Sequence, residues 1–308
     1  MTYLMCKETP IYNQTTDHIL QPHLLPAVTA GDFSPEAFKK WRYFLSSNGA
    51  SRQLVQDTPN WIDKKRRFSL SDCYWYKQDG DNATFATHSP YLNPFSTLAQ
   101  IVLDSSMPAQ TLTGSFTKEW FIHADGTRKL RKVSLAWQME AEVECYRLAS
   151  ILGLRMNHVQ RENEQSVIID NLTDPQWMLL DYKVLGVKVN GFSPIAINSV
   201  YGHDQHLGDI LNMVLFDAVV GNTDREKNMG NLAIYKHAET GQMKLPPMFD
   251  FNLAKLQLPH YFLAPVAKQL QHDNLSQQAL AILTDWQPRI PHPQWLSNCQ
   301  ELMGLLAR

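Results

Sequence analysis

Residues 221–231 read GNTDREKNMGN, and they separate an almost wholly apolar run, GDILNMVLFDAVVG (208–221), from a short apolar strand, LAIY (232–235). Connecting loops are polar by default, because their backbone needs water. This one carries an Asp, an Arg and three Asn. Carboxylate and amide oxygens of that kind hold a hard metal ion or steer a hydroxyl proton. Asp224 is the loop's candidate for a carboxylate near a reacting hydroxyl. Asn228 and Asn231 are read as candidate metal ligands.

A second acidic position follows at a short interval, in Met248-Phe249-Asp250-Phe251-Asn252. Phosphoryl transfer from a magnesium nucleotide asks for a carboxylate near the attacking hydroxyl, and for Asp and Asn oxygens on the metal. The order Asp, loop Asn, hairpin, Asp meets that demand, and Asp-Phe-Asn stands where protein kinases carry a metal-binding Asp-Phe-Gly. Asp250 is therefore read as a metal ligand. Between the asparagines, Asn231 is preferred, because it directly precedes a strand and magnesium geometry favours a ligand on a rigid element.

Working toward the N-terminus, KEWFIH and RKLRKV read as strands around a turn at Asp125-Gly126,. The helix QMEAEVECYRLASILG follows, with Gly153 as its left-handed cap,. At 100° per residue, Glu142 falls in the middle of that helix's apolar arc, where a carboxylate is costly unless paired. If Leu130 faces inward, so does Lys132, because side chains alternate; on an edge strand Lys132 would be solvated and Arg131 the inward residue. A buried Lys from a hairpin and a Glu from the next helix form the pair that kinases use at nucleotide phosphates. QSVIIDNL reads as a strand, and its Asp170 is a further nucleotide-side candidate. Beyond it the chain reads as helical and loop-rich, with Asp209 capping the helix that Gly221 closes, a hairpin around Glu239-Thr240-Gly241, and a helical tail from Ser276. SPEAFKKWRYFLSS (34–47) reads as a helix within an otherwise irregular N-terminal stretch.

With these pieces in place, the chain resembles the HipA-like serine/threonine kinases, especially the compact bacterial branch without a fused partner domain. FDAVVGNTDR, MGNLAI and PPMFDFNLA look like that branch's catalytic and metal loops. GSFTKEWFIHADGTRKLRK is similar to its phosphate-covering loop and lysine strand, and EVECYRLASILGL to its Glu-bearing helix. Weaker likeness in KETPIY and SLSDCYWYK extends the match over nearly the whole chain. The resemblance implies an α+β bilobal kinase-like fold with a small β-rich N-lobe and a mainly helical C-lobe. The expected divisions are 1–110, 111–172 and 173–308. It implies ATP- and magnesium-dependent phosphorylation of a protein Ser or Thr, with a toxin role beside a small DNA-binding antitoxin in some members. Lys132 with Gly114, Ser115, Lys118 and Asp170 would face the nucleotide, and Asp224, Lys132 and Glu142 would form the catalytic set. Three departures stand out. Glu226 occupies the family's His position, Asn228 is one residue short of the usual spacing, and aligning Asn231 requires a two-residue insertion. They motivate an alternative, a nucleotide-binding pseudokinase acting as an interaction module. A lipid or small-molecule kinase is the other alternative.

Composition fits these readings. The chain has 308 residues, 44% hydrophobic and 19% charged, with a formal net charge of −2. That balance gives no global attraction to nucleic acid or membrane. Lys64-Lys65-Arg66-Arg67 reads as a solvated face. Four dispersed cysteines suggest neither a disulfide framework nor a zinc site,. His203 and His206 lack a third ligand for a metal. The opening MTYLMCKETP has neither region of an export signal, so a cytoplasmic protein is expected,.

Overall fold

A computed structural model of the chain describes residues 1–25, 28–29, 32–33, 72–89, 92–93, 117–123, 125–185, 187–201, 206–254 and 262–308. In chain order the strands are β1 (Thr2–Cys6), β2 (Thr9–Asn13), β3 (His18–Ile19), β4 (Val28–Thr29), β5 (Asp32–Phe33), β6 (Tyr74–Gln78), β7 (Thr117–Ile122), β8 (Arg128–Val133), β9 (Val159–Arg161), β10 (Ser166–Asp170), β11 (Trp177–Asp181), β12 (Ala233–His237) and β13 (Met243–Lys244). The helices are α1 (Phe85–His88), α2 (Ala136–Leu152), α3 (Tyr182–Leu185), α4 (Pro194–Ser199), α5 (Leu207–Val220), α6 (Asp224–Lys227), α7 (Leu263–His272), α8 (Ser276–Trp286) and α9 (Pro293–Leu306). The fold class is α+β, as expected. The 34–47 helix, the Lys64–Arg67 cluster, Gly114, Ser115 and His203 lie outside the described residues.

Two compact units emerge, and each is discontinuous. The first takes residues 1–133, 168–186 and 233–246, and the second takes 134–167, 187–232 and 247–308. Continuous boundaries at 110 and 172 miss this partition for a physical reason. The hairpin β12–β13 completes a sheet of order β11-β12-β13, so residues 233–246 return to the first unit.

Among the described N-terminal residues, those of 1–19 and 74–78 form a regular sheet. β3-β2-β1-β6 is an antiparallel sheet, and β1 pairs with β6 across a long stretch of chain. Local pattern carries little of that, since the pairing is set by burial of Leu4, Cys6, Tyr74 and Trp75,. β11, within a stretch read as helical and loop-rich, is likewise a strand by virtue of its pairing with β12. The hairpin β7–β8 turns at Gly126 (φ 81°), where only glycine is unstrained,. β8 also lies beside β10.

Lys236 of β12 is 1% exposed, and its Nζ donates to the Leu25 carbonyl. Burial pushes its ammonium down to about 8. The unfolded chain therefore holds this proton more tightly than the folded chain, and stability rises with pH between the two values. Buried thiols work the other way. Burial pushes Cys6 up to about 12, so the unfolded chain loses that proton first and stability falls above the ordinary thiol range,. The thiols act equally in a Lys236→Met variant, so the difference isolates the lysine. Denaturant titration should show wild type gaining about 1 kcal/mol over Lys236→Met between roughly pH 7 and pH 9. Parallel pH curves would show that Lys236 keeps its proton in the fold.

The second unit is built around α5, whose residues Met213 to Val220 are all buried. Its N-cap is His206, without a side-chain cap bond, so Asp209 is not the cap. It sits inside the first turn, where its charge faces the positive helix end. Gly221 closes the helix at φ 72°, and Gly153 closes α2 at φ 74°. Asn298 of α9 donates to the Val219 carbonyl at 2.9 Å and ties α9 to the last turn of α5. β9 lies beside β10. Among the described residues, no helix is long and apolar enough to cross a membrane.

Candidate active site

α5 ends in a left-handed residue, and that end sets the direction of the loop after it. The Asn222 amide donates to the Asp217 carbonyl at 2.8 Å, and its side-chain Nδ2 donates to Asp217 Oδ1 at 2.9 Å. Asn222 Oδ1 accepts in turn from the Asp224 amide at 3.3 Å. Asp224 therefore begins α6 at a fixed distance from a buried helix.

The centre of the arrangement is Arg225, only 2% exposed. Its Nε donates to Asp217 Oδ2 at 2.7 Å, its Nη1 to the Asn231 carbonyl, and its Nη2 to the Phe249 carbonyl at 3.0 Å. One planar guanidinium thus binds α5, the end of the loop that follows it and the residue before Asp250. The five fixed donors of arginine allow this, and lysine has no equivalent fork. Burial pushes the Asp217 carboxyl up, while the Arg225 charge and the Asn222 amide hold it down. An acid in the wholly buried C-terminal half of α5 was the sequence signal for this pair, and the sequence reading passed over it. Arg225, Asp217 and Asn222 are the site residues it missed.

The two asparagines play different parts. Asn231 is 4% exposed and its Nδ2 donates to Asp224 Oδ2 at 2.7 Å. Asn228 caps the 3₁₀ turn Met229–Asn231, with its Oδ1 accepting from the Gly230 amide at 3.1 Å. Asn228 Nδ2 lies 3.4 Å from Asn231 Oδ1. The residue that caps its own loop is therefore Asn228. Gly230 takes no left-handed conformation. A Cβ there would stand 3.0 Å from Asn228 Oδ1, so its smallness serves that cap.

Asp250 has φ 63°, a conformation that is uncommon outside glycine and is tolerated best by Asn and Asp,. Such strain persists only where the surroundings impose it, and it gathers at functional sites. The surroundings are plain here. Met248 forms a parallel bridge with Met156, donating to the Arg155 carbonyl at 2.9 Å and accepting from Asn157 at 2.8 Å. Phe251 is fully buried, edge-on to Phe216 at 5.4 Å, with the Arg225 guanidinium 5.0 Å from its ring centre. The Phe251 amide donates to Glu142 Oε1 at 3.3 Å. Glu142, 1% exposed as its helical position predicts, thus holds the residue next to Asp250.

In the first unit, Lys132 is 1% exposed on β8, so Lys132 and not Arg131 is the buried residue there. Lys118 stands opposite it in the β7–β8 register. Asp170 meets Lys129 Nζ at 2.8 Å, which leaves its carboxylate 43% exposed. Among the described residues, no group of three His, Cys, Asp or Glu forms a metal cage, and His206 belongs to none.

No family model matches the chain, and no curated protein sequence matches it. Among solved structures, HipA from the Shewanella oneidensis MR-1 toxin–antitoxin complex of HipA, HipB and operator DNA aligns with 100% of this chain and 98% of its own. The TM-score is 0.57 at 14% identity. The Helicobacter pylori proinflammatory kinase CtkA aligns over 62% of this chain and 88% of its own, with a TM-score of 0.37 and 14% identity. The chain shares the fold of that HipA.

Proposed function

We propose that this chain is a HipA-like protein serine/threonine kinase, transferring the terminal phosphoryl group of ATP to a protein hydroxyl. The observation that carries the reading is the Arg225 fork. It holds the Asn231 and Phe249 carbonyls within the span of one guanidinium, so the loop bearing Asp224 and the turn bearing Asp250 are fixed together.

Asp224 accepts the hydrogen bond of the substrate hydroxyl and takes its proton as the oxygen bonds to the terminal phosphorus and the bond from that phosphorus to the departing ADP breaks. Asn231 holds that carboxylate through its Nδ2. Magnesium fits the donors present, because it binds through one or two carboxylates with amide oxygens and phosphates, not through an all-protein cage. Asp250 and the Asn231 Oδ1 would hold it, with Asn228 less directly placed. Bound there, it supplies charge neutralisation of the phosphate oxygens. Glu142 fixes the Asp250 turn through Phe251. Lys132 is assigned to the phosphates, and Asp170, together with Gly114, Ser115 and Lys118, to the nucleotide side.

By analogy with the HipA–HipB–operator complex, we further propose a small DNA-binding protein as partner. Co-purification with the product of a neighbouring gene tests it. The reading also predicts a split between the asparagines. In a phosphoryl-transfer assay with Mg-ATP, Asn231→Ala should lose roughly 100-fold or more, because Asp224 loses its support and the metal an oxygen. Asn228→Ala should keep most activity and lose about 1 kcal/mol of stability as a missing cap. The opposite ranking would move the metal to Asn228.

A further inference from the structure

Gly191 lies where the chain has no room for a side chain. A Cβ built on it would stand 2.7 Å from the Glu226 Cα and 3.4 Å from the Arg225 carbonyl oxygen. Its φ is not in the left-handed region, so the need for glycine here is one of space, not of backbone conformation. What it abuts is the single helical turn Asp224–Lys227 that begins with the proposed catalytic aspartate.

The residues around Gly191 are fastened to α7. Asn190 Nδ2 donates to Gln269 Oε1 at 2.8 Å, and Ser193 Oγ donates to Asp273 Oδ2 at 2.6 Å. Gln269 Nε2 closes the set on Asp273 Oδ1 at 2.8 Å. Within the strap, Ser193 donates its amide to the Asn190 carbonyl at 3.0 Å and accepts from the Ala196 amide at 3.1 Å, which caps α4. Phe192 meets Phe262 edge-on at 5.3 Å. Between the strap and α6 remains a cavity of about 10 Å³, bordered by Asp217, Asn222 and Glu226, about the room of one water,.

We propose that Gly191 is a positioning residue. The 190–193 strap is the seat of the catalytic turn, and through it the placement of Asp224 depends on α7. Arg225 holds the turn from its buried side, and Gly191 sets how closely the strap approaches it. The catalytic half of this inference rests on the kinase reading above, while the mechanical half does not.

The experiment compares wild type with Gly191→Ala, with Gly208→Ala as control, since a Cβ at Gly208 meets nothing within 4 Å. Amide hydrogen exchange is read at Asn228 and Asn231, against the amides of α9 as reference, together with kcat and KM for ATP. Gly191→Ala should speed exchange at those two loop amides by about tenfold and lower kcat by about tenfold to a hundredfold, with KM for ATP changing less than about twofold. Gly208→Ala should change neither. Asp273→Ala, which releases the strap from α7 without a clash, should speed the same loop amides and serves if Gly191→Ala does not fold. Loop exchange at wild-type rates in either folded variant would overturn the proposal, and so would an equal acceleration throughout α9. If the loop amides speed up but wild type transfers no phosphate, the seat stands and the kinase reading fails.

Discussion

Asp250→Asn should abolish phosphoryl transfer and leave the protein as stable as before. Asparagine has the same shape and also tolerates positive φ, so the backbone at φ 63° needs no adjustment,. What is lost is one negative charge where magnesium would sit, and neutral amide oxygen is a far weaker partner for a hard cation. The loss should reach about 10³-fold or more in kcat, with melting within about 1 kcal/mol of wild type. Asp250→Gly gives the complementary result. It should be equally inactive yet gain on the order of 1 kcal/mol, because glycine releases the strain that the carboxylate's position imposes. Activity retained by Asp250→Asn would remove the residue from the metal site. A loss of stability in Asp250→Gly would show that its side chain, not its backbone, holds the turn.

Arg225→Lys should be damaging despite the conserved charge. Lysine can keep the partnership with Asp217 but cannot present Nε, Nη1 and Nη2 to three acceptors in one plane,. The Asn231 and Phe249 carbonyls then lose buried donors, at about 1–3 kcal/mol each. Arg225→Leu goes further and strands the Asp217 carboxylate, for roughly 3–5 kcal/mol, a large share of a typical domain's stability. Adding Asp217→Leu to it should return part of that loss without restoring transfer, since the loops remain uncoupled. Denaturant unfolding of the single and double variants measures this. Additive losses would mean that Arg225 and Asp217 contribute separately.

Much of the second unit was readable from local pattern. α2 and α5 announce themselves by apolar faces and closing glycines, and Glu142 by being a carboxylate on the wrong face. Asp224, Asn231 and Asp250 stand out as candidates because their order around a hairpin is specific. Arg225 does not, because its three acceptors come from separate stretches of chain and only the folded structure brings them to one guanidinium. Gly191 gave no signal, as its smallness matters only against Glu226. The β1–β6 pairing was hidden for the same reason, since long-range register is fixed by burial and not by the residues of either strand alone. Asp209 shows the limit of cap reading. The residue type suits a helix start, but the helix begins two residues earlier, and Asp209 acts on its dipole instead.

The most direct measurement is the intact mass of the purified wild-type protein after incubation with Mg-ATP and a bacterial extract, with phosphopeptides then mapped. The expected result is a phosphoryl group on a serine or threonine, of this chain or of an extract protein, absent when Asp250→Asn replaces wild type. Tight nucleotide binding with no phosphate transferred to any protein would contradict the central claim and make the chain a nucleotide-binding interaction module. Phosphate found only on lipid would contradict it as well.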